Sequence, residues 1–498
     1  LIAGKGHEDT QDYGKKKIKI SDFKIVKNLK INKKNKFKKN IGVQQNNFIL
    51  KKILNKKMDK SFRGVSIDSK SVKKENLFIA IKGKRNDGHN FVKDAFLKGA
   101  SNCVISKKLD KISKGRIIKV SNTYNFLKKL AILKRNLTNA KIIAVTGSSG
   151  KTTVKDLIGN LLKNYGETYF SPRSFNNSYG VPLSLSNLEY EHKYGVFEIG
   201  MSKKGEIDTL SKLVKPNIGI ITNIAEAHIE NFKNLDHIAK AKGEIINNIS
   251  TYGSIIIDRD NKFFKYFNTK AKKKKIRVIT VGYNNKSDIK IIKVKKFPKY
   301  KLLTIKSFKK EYKIKVKEQL IKNIAFAIAV LEVLNLNIYK IKNKIKNIKA
   351  LDGRGKIFKI KYKNLNFNLI DESYNANPLS VRQSIINLSS LSNAHQKYIL
   401  LGDMLELGKK SPILHKGLSP IINNSKINKL FIHGDHIMNT YKNVNKHKRG
   451  NILQYKSDFK DILLPILQNN DYLMIKGSNA TGLNKISKNL TKGRIDAI

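Results

Sequence analysis

The sequence is poor in cysteine, tryptophan and acidic residues. Its 498 residues include one Cys and no Trp, and 37 Asp and Glu stand against 101 Lys and Arg. Cys103, the single cysteine, cannot form an intrachain disulfide, which is typical of a reducing cytoplasm. No stretch approaches the roughly 18 uncharged apolar residues that a membrane helix needs. We therefore expect a cytoplasmic protein without a membrane span.

The formal net charge of +64 at pH 7 would suit a nucleic-acid-binding protein, because neutralised phosphates release counterions. The excess is nearly all Lys, spread along the chain among Asn and Ile, with few Arg. Base-reading and single-strand-binding surfaces favour Arg and interleaved aromatic residues. We interpret the lysines as solvated surface charge and expect no specific nucleic-acid partner, only weak adhesion to polyanions.

The start of the sequence does not form a signal peptide, and Leu1 stands where an initiator methionine would stand. We expect the sequence to belong to a longer chain. A Lys/Asn-rich stretch with little periodicity runs from Asn28 to Asn40. It predicts a linker, assigned to residues 31–45, after a separate first segment at 1–30.

The remaining length suggests three domains, at residues 46–138, 139–348 and 349–498. Strands and helices alternate in the second and third, which predicts parallel sheets with helices on both faces and an α/β fold class. The predicted strands include Val65–Ser69, Leu77–Ile81, Lys141–Val145, Tyr194–Ile199, Ile218–Thr222, Ser254–Ile257, Phe367–Ile370, Tyr398–Leu401, Lys429–Ile432 and Tyr472–Ile475. The predicted helices include Phe91–Gly99, Thr152–Leu162, Ile207–Leu213 and Ile321–Leu334.

A glycine-rich loop, Thr146–Thr153, follows one predicted strand and opens a helix. Glycines let backbone N–H groups face phosphates, and the helix N-terminus adds positive potential. Lys151 can reach the β- and γ-phosphates, and the Thr152 hydroxyl can ligate Mg²⁺. Val145 stands where the full Walker spacing would have glycine. The alternative is an ordinary Gly/Ser strand-to-helix turn, but strand, loop, Lys-Thr and helix occur here together.

Two candidate metal ligands lie at the ends of predicted strands. Glu198 ends one strand, and His228 follows another. The strand ends of an open parallel sheet place ligand-binding groups, and a carboxylate with water and phosphate suits Mg²⁺. Taken alone, His228 is more often a packed or surface histidine than a ligand.

These residues together resemble the Mur ligase family. The central segment is similar to its ATPase domain in the phosphate loop, Glu198, His228 and the Ala239–Ile245 run. The resemblance implies that Lys242 is carbamylated, which would turn a cation into the oxygen ligand that Mg²⁺ prefers. Without the resemblance, Lys242 would be one of many surface lysines. The implied metal set is Thr152, Glu198, His228 and Lys242.

Several runs resemble the family branch that adds D-Ala-D-Ala. In that branch the region of Asp68 and Ser69 holds the UDP-sugar end of the substrate, and the loop of Asn176 and Asn177 meets the muramoyl-peptide. Two further runs are highly specific, Tyr374–Pro378 and Gly402–Gly408. The implied substrate-binding residues are Asp68, Ser69, Asn176, Asn177, Tyr374, Asn375 and Asn377.

The resemblance also implies the nucleotide contacts. They are Gly147, Ser148, Ser149, Gly150, Lys151, Thr152, Thr153, Asn323, Arg354, Asp371 and Glu372. The family acid near the ATP ribose matches Glu372 better than Asp371. There are departures: Gln319-Leu320 stand where His-Asn is usual, and Asn479 replaces the usual Arg of a Lys-Gly-Ser-Arg run.

The implied fold has a small N-terminal UDP-binding α/β domain, a central P-loop ATPase domain with a mostly parallel sheet, and a C-terminal Rossmann-like domain. The implied reaction joins D-Ala-D-Ala to UDP-N-acetylmuramoyl-tripeptide through an acyl phosphate, with ATP and Mg²⁺ as cofactors. Its expected catalytic residues are Lys151, Lys242, His228 and Arg354. Another Mur ligase, a folylpolyglutamate synthase-like ligase or a basic P-loop protein that binds nucleic acid are the alternatives. The sequence does not assign the general base for the amine.

Residues 1–30 resemble a different member of the family. Ala3–Gln11 is similar to the C-terminal signature of the diaminopimelate-adding ligase, in which the positions of Gly4 and Glu8 bind the incoming amino acid. The remainder of that enzyme does not follow. We expect a C-terminal remnant of an upstream ligase, fused to or encoded with this chain, and inactive by itself. The alternative is a chance Gly-rich start.

Overall fold

A computed structural model describes most of the chain beyond residue 43. The described residues are 11–12, 17–18, 44–55, 62–83, 86–109, 116–297, 300–308, 310–316, 320–348, 350–392, 394–455 and 457–494. The positions of Gly4 and Glu8 and the Lys/Asn-rich stretch from Asn28 to Asn40 lie outside these residues. The chain forms two compact units, Leu1–Ala140 with Tyr179–Lys193, and Lys141–Ser178 with Tyr194–Ile498.

The first unit contains a four-stranded parallel sheet. Its strands, in spatial order, are Val65–Ser66, Leu77–Ile79, Asn102–Ile105 and Ile117–Lys119. An antiparallel pair is formed by Gln11–Asp12 and Lys17–Ile18. The helices of this unit are 44–54, Val92–Leu97, Thr123–Leu137 and Gly180–Ser186, with 3₁₀ turns at Ser69–Ser71 and Gly88–Phe91. Phe78, Cys103 and Ile105 pack in its core with Val92 and Ala95.

The second unit contains a nine-stranded sheet built around the phosphate loop. In spatial order its strands are Lys310–Val316, Tyr300–Ser307, Ile289–Phe297, Arg277–Gly282, Ser254–Asp258, Ile218–Ile221, Lys141–Thr146, Tyr194–Glu198 and Thr168–Phe170. The first three strands form two antiparallel neighbouring pairs, and all other neighbouring pairs are parallel. Its helices are Lys151–Leu162, Glu206–Val214, Leu235–Lys242, Phe264–Lys273, Ile321–Val333 and Lys342–Ile345, with 3₁₀ turns at Ile229–Asn231, Gly243–Asn248 and Ile338–Ile341.

A six-stranded sheet completes the second unit. In spatial order its strands are Lys356–Tyr362, Leu365–Glu372, Tyr472–Lys476, Lys397–Gly402, Lys429–His433 and Arg449–Ile452. Only the first pair is antiparallel. Its α-helices are Pro378–Ser389, Ser411–Lys416, Ser419–Asn423, Met438–Tyr441 and Leu483–Thr491. Short 3₁₀ and π turns lie at Gly408–Lys410, Lys446–Lys448, Phe459–Leu463, Leu464–Ile466 and Asn479–Thr481.

Burial explains why the central strands and helices form. The strand Lys141–Thr146 is buried along all but its first residue, as expected of a parallel strand covered on both faces. Val154, Leu157 and Ile158 of the helix after the phosphate loop pack into the same core. The helix Ile321–Val333 is entirely apolar and buried from Ile324 to Leu331. The phosphate loop therefore joins two buried elements, the strand Lys141–Thr146 and the helix Lys151–Leu162.

The prediction of α/β sheets with parallel strands is confirmed. No strand was predicted within Ile289–Val316, where the structure has three strands that pair antiparallel; Lys residues interrupt the apolar runs of this segment. The predicted strand Val65–Ser69 ends at Ser66, since Asp68 caps a 3₁₀ turn by accepting a hydrogen bond from the Lys70 N–H. No helix among the described residues combines the length and apolar character needed to cross a membrane.

The domain boundaries stay a prediction. The three larger sheets lie one in each of the segments 46–138, 139–348 and 349–498. Residues Tyr179–Lys193, inside the second of these segments, group instead with the first compact unit. There Lys134 and Glu189 form a 2.8 Å ion pair, with Lys134 fully buried.

Candidate active site

A cavity of about 780 Å³ lies within the second unit. The volume is in the range of small-molecule sites, which is roughly 300–1,000 Å³. Its walls come from the phosphate loop, from the ends of neighbouring strands and from the segment around the strand Leu365–Glu372. The predicted site residues that line it are Ser148, Ser149, Gly150, Lys151, Thr152, Thr153, Asn176, Asn177, Glu198, His228, Asn323, Arg354, Glu372, Tyr374, Asn375 and Asn377.

The phosphate loop adopts a backbone that needs glycine. Gly147 has φ 146° and Gly150 has φ 79°, which L-residues with side chains rarely adopt. A Cβ at Gly147 would also collide with Thr222 Oγ1. The loop is braced from behind, since Asn223 Oδ1 accepts a 2.8 Å hydrogen bond from the Ser149 N–H. Gly147 therefore shapes the loop and does not line the cavity.

Thr152 and Glu198 meet at the start of the helix Lys151–Leu162. The Thr152 hydroxyl donates to Glu198 Oε2 over 2.7 Å, and Asn176 Nδ2 donates to Glu198 Oε1 over 2.7 Å. Ser174 Oγ lies 3.0 Å from Thr152 Oγ1. Glu198 is buried, so these polar partners stabilise its carboxylate. A hydroxyl and a carboxylate side by side form a hard oxygen donor pair of the kind Mg²⁺ prefers.

Lys151 points back into its own loop. Its Nζ donates to the Gly147 carbonyl over 2.8 Å. Burial lowers the pKa of the Lys151 amine, the positive charge of Arg354 acts in the same direction, and Glu198 opposes both. The Lys151 amine and the Arg354 guanidinium both line the cavity and repel each other. An anionic ligand bound between them would be stabilised by both groups.

Arg354 reaches the cavity from a tight loop. Gly353 and Gly355, on either side of it, have φ 73° and 91°. Its Nη2 donates to Ser174 Oγ over 3.1 Å, and its guanidinium lies 4.1 Å from the centroid of the Tyr374 ring. Arg354 thus links the segment of the six-stranded sheet to the phosphate-loop side of the cavity.

The two adjacent acids Asp371 and Glu372 differ in their surroundings. Asp371 is buried, and its carboxylate accepts from the Gly353 N–H over 2.9 Å and from the Ser373 hydroxyl. It does not line the cavity but holds the loop that carries Arg354. Glu372 lines the cavity and lies 3.3 Å from Lys476 Nζ. The structure therefore favours Glu372 as the ligand-facing acid.

Lys242 is buried at the end of the helix Leu235–Lys242 and does not line the cavity. Among the described residues no carboxylate lies within ion-pair distance of its amine. Burial lowers the pKa of Lys242 well below its ordinary value, and the nearby charge of Lys151 adds to the effect. Burial thereby favours the neutral form of the unmodified amine, which is the form that can react with CO₂.

His228 has a left-handed backbone, φ 58°, and its Nδ1 lies 2.6 Å from Glu406 Oε2. The nearby His228 lowers the pKa of Glu406, against the opposing effect of burial. Within the described part of the chain, no group of three or more His, Cys, Asp or Glu side chains is arranged to hold a metal ion. Of the predicted metal set, the structure joins Thr152 directly to Glu198, while His228 contacts Glu406 instead.

Asp68 and Ser69 belong to the first unit and do not line this cavity. Asp68 Oδ1 caps the turn Ser69–Ser71, and Ser69 is buried. Three residues near the predicted set were missed: Ser174, Glu406 and Lys476. Each adjoins or falls inside a run that resembles the family, since Ser174 precedes Phe175, Glu406 lies in Gly402–Gly408 and Lys476 begins Lys-Gly-Ser-Asn.

Comparison with known proteins gives the family. Sequence models of the Mur ligase middle domain and of the Mur ligase family catalytic domain match residues 145–331 and 61–135. The UDP-N-acetylmuramoyl-tripeptide--D-alanyl-D-alanine ligase of Rickettsia prowazekii is 32% identical over 426 residues, which cover 85% of this chain and 94% of that protein. The ligase of the same name from Bacillus subtilis is 30% identical, covering 86% and 93%.

A solved structure agrees with the sequence relatives. The MurF ligase from Thermotoga maritima in complex with ADP matches with a TM-score of 0.71 and 25% identity, covering 87% of this chain and 98% of that one. The predicted Mur-type three-domain α/β fold is thereby confirmed. Because the fold and the phosphate loop agree with relatives that are 30% and 32% identical over nearly their whole length, this chain belongs to the Mur ligase family.

Proposed function

We propose that this enzyme joins D-Ala-D-Ala to UDP-N-acetylmuramoyl-tripeptide with hydrolysis of ATP to ADP and phosphate, as a cytoplasmic step of peptidoglycan synthesis that serves cell shape and division. The observation that carries the proposal is that two cationic side chains line the same cavity. They are Lys151 of the phosphate loop and Arg354, which precedes the first strand of the six-stranded sheet. The names of relatives that are 32% and 30% identical support the substrates.

The reaction has two steps. A carboxylate oxygen of the tripeptide attacks the γ-phosphorus of ATP, the bond to the β-γ bridging oxygen breaks, and an acyl phosphate and ADP form. The amine of D-Ala-D-Ala then attacks the acyl carbon, loses a proton, and phosphate leaves. Lys151 and Arg354 offset the charge on the transferring phosphoryl group. Both attacking groups belong to the substrates, so the protein needs no nucleophilic side chain. Its contribution to the rate is to position the reactants and to supply charge.

The lining of the cavity supports the proposed nucleotide contacts. Backbone N–H groups of Ser148–Thr153 would hold the phosphates at the helix N-terminus. Asn323 and Glu372 would contact the adenosine portion, and Tyr374, Asn375 and Asn377 would contact substrate. Asp68 and Ser69, in the first unit, would hold the UDP-sugar end.

Mg²⁺ fits the donor chemistry of Thr152 and Glu198. When bound, the ion would neutralise phosphate charge. His228 and a carbamate on Lys242 complete the proposed set. Formation of the carbamate needs a neutral amine, which adds to CO₂ and loses a proton, and the buried environment of Lys242 supports that state.

Residues 1–30 are, in this proposal, the C-terminal remnant of a diaminopimelate-adding Mur ligase, on the resemblance of Ala3–Gln11 alone. The remnant would have no activity, because a binding loop without its partner domains positions nothing. It also favours diaminopimelate over lysine as the third residue of the peptide substrate.

The test is phosphate release from ATP with purified UDP-N-acetylmuramoyl-tripeptide, with and without D-Ala-D-Ala. We expect sustained release only with both substrates, and a product heavier than the tripeptide by the dipeptide less one water. Diaminopimelate- and lysine-containing substrates are compared in parallel. Sustained release with a single amino acid and none with the dipeptide would assign the chain to another reaction of the family. A salt titration of DNA binding tests the nucleic-acid alternative.

A further inference from the structure

Lys155 is a buried lysine to which the proposed reaction gives no direct part. It lies four residues after Lys151 in the helix Lys151–Leu162, so the two residues lie on the same face of that helix. Its side chain is fully buried and does not line the cavity. A charged amine is stable inside a protein only where polar partners replace its water. The partners of Lys155 therefore indicate what the residue does.

Three oxygen atoms surround the Lys155 amine. Its Nζ donates to the Ser171 carbonyl over 2.6 Å and to the Arg173 carbonyl over 2.9 Å. It also lies 2.9 Å from Asp156 Oδ1. An ammonium group has three N–H donors, so these three oxygens can satisfy it. Two of them belong to the backbone of one segment, which follows the strand Thr168–Phe170. Lys155 therefore holds that segment against the helix behind the phosphate loop.

The backbone that Lys155 holds has an unfavourable conformation. Arg173 has φ 48°, a left-handed value that a residue with a side chain keeps only where surrounding contacts enforce it. Ser171 is also fixed by the sheet, because its N–H donates to the Val196 carbonyl over 3.0 Å and its Oγ accepts from the Glu198 N–H over 3.2 Å. Lys155 extends this hold from Ser171 to the strained residue Arg173.

The residue that follows Arg173 lies between two parts of the site. Ser174 Oγ accepts from Arg354 Nη2 over 3.1 Å and lies 3.0 Å from Thr152 Oγ1. Because Arg173 and Ser174 are adjacent, a shift of the Arg173 backbone would move the Ser174 hydroxyl as well. A displacement of about 1 Å in a positioning contact can slow a reaction about 100-fold. The position of the Arg354 guanidinium is thereby linked to a lysine outside the cavity.

We infer that Lys155 is a positioning residue for phosphoryl transfer, which places Ser174, and through it the Arg354 guanidinium, by holding two backbone carbonyls. The phosphate loop has anchors of its own, such as the hydrogen bond from the Ser149 N–H to Asn223. Loss of the Lys155 amine should therefore slow the reaction more than it weakens nucleotide binding. The inference rests on the proposed function for the reaction that is followed, but the state of the segment is measured without any substrate.

The first experiment follows the segment itself by fluorescence. The chain has no Trp, so Phe175→Trp, next to Ser174, gives the full chain a single fluorescent reporter. Lys155→Met is added to this background, because methionine keeps a long side chain without the charge. Lys163→Met is the matched control, since the Lys155 and Lys163 amines lie 5.7 Å and 4.9 Å from the same Phe170 ring. We expect emission at longer wavelength and stronger quenching by acrylamide in Lys155→Met, and neither change in Lys163→Met.

The second experiment compares ADP binding with phosphate release, in chains that keep Phe175. Lys155→Met should retain its Kd for ADP within a few-fold and lose about 10–100-fold in kcat. Ser174→Ala should also lower kcat. The two changes together should cost little more than the larger single change, because both act on one contact.

A further variant separates positioning from folding. Lys155→Met leaves the Asp156 carboxylate without its ion pair, so Lys155→Met combined with Asp156→Asn, which removes both charges, is measured in parallel together with the free energy of unfolding. Unfolding of both variants would mean that Lys155 serves the fold as a whole, and the inference would fail.

Three further results in a folded variant would overturn the inference: unchanged fluorescence, an equal loss of ADP affinity and kcat, or full additivity of Lys155→Met with Ser174→Ala. If the fluorescence and the ADP affinity follow expectation while D-Ala-D-Ala supports no phosphate release, the proposed function fails and the positioning of the segment by Lys155 stands.

Discussion

Thr152 and Glu198 are joined by a 2.7 Å hydrogen bond from the threonine hydroxyl to the carboxylate. Thr152 lies in the first turn of the helix Lys151–Leu162, and Glu198 ends the strand Tyr194–Glu198 beside the phosphate-loop strand. The contact places a hydroxyl and a carboxylate beside the helix N-terminus, where positive potential favours the phosphates of ATP. Both oxygen groups are suited to bind the Mg²⁺ that accompanies those phosphates.

Replacement of Thr152 separates its structural role from its role in binding the cation. Thr152→Ser keeps a hydroxyl and should retain activity within a few-fold. Thr152→Val leaves Glu198 short of a donor, so we expect a loss of about 1–3 kcal/mol in the free energy of unfolding and at least about tenfold weaker Mn²⁺ binding. Chemical denaturation and metal titration measure the two effects. Equal Mn²⁺ affinity in the Ser and Val variants would exclude the hydroxyl as a ligand.

Lys151→Ala tests the phosphate loop. The variant should fold, because the hydrogen bond found for the lysine among the described residues goes to the Gly147 carbonyl of its own loop. Phosphate release should fall by about 10²–10³-fold or more, as when a preorganised group loses its contact with developing charge. Lys163→Ala, an exposed lysine just after the same helix, serves as the control. Near-normal turnover in folded Lys151→Ala would contradict the assignment.

Local patterns made much of the fold predictable. The central strands are short runs of Ile, Val and Leu that are buried on both faces, and the Gly-Lys-Thr turn joins one of them to a helix. No strand was predicted within Ile289–Val316, because Lys residues interrupt its apolar runs at irregular positions. The long stems of such lysines can cover apolar surface while the amine stays in water.

The site was predictable where its chemistry is local and unpredictable where it depends on distant pairs. Ser174 and Arg354 meet although 180 residues separate them. Glu406 and His228 are almost as far apart in sequence, and no periodicity relates them. Asp371 and Glu372 are neighbours, so only the structure shows that the first holds the Gly353 loop while the second lines the cavity.

Lys242→Ala tests the proposed carbamate. Burial lowers the pKa of the Lys242 amine, which favours the neutral form that reacts with CO₂, and the carbamate would supply an oxygen ligand. We expect Lys242→Ala to lose phosphate release and to be partly restored by a short carboxylic acid such as acetate. Lys240→Ala, an exposed lysine on the same helix, should behave like the unaltered enzyme. Full activity of Lys242→Ala in CO₂-free buffer would rule the carbamate out.

Cys103 reports on the integrity of the first unit. Its side chain is buried in the sheet, and burial raises the pKa of the thiol to about 12. At pH 8 the thiolate fraction should be roughly 10³-fold below that of an ordinary cysteine. We expect negligible reaction with a thiol reagent in the native protein and one equivalent in guanidinium chloride. Rapid modification of the native chain would show that this sheet opens readily.

Deletion of residues 1–40 tests the remnant. The cavity is lined by residues between Ser148 and Lys476, and the region proposed for the UDP-sugar begins beyond residue 60. We therefore expect the shortened chain to keep its kcat, its KM for D-Ala-D-Ala and its thermal unfolding temperature.

Glu8→Ala in the full chain is the matched variant, since it removes only the residue that resembles an amino-acid contact. Steady-state kinetics on both variants measure the effect. A tenfold fall in kcat/KM, about 1.4 kcal/mol of transition-state stabilisation, in the deletion but not in Glu8→Ala would show that the segment supports this enzyme's structure. The same fall in both would show that Glu8 takes part in its reaction.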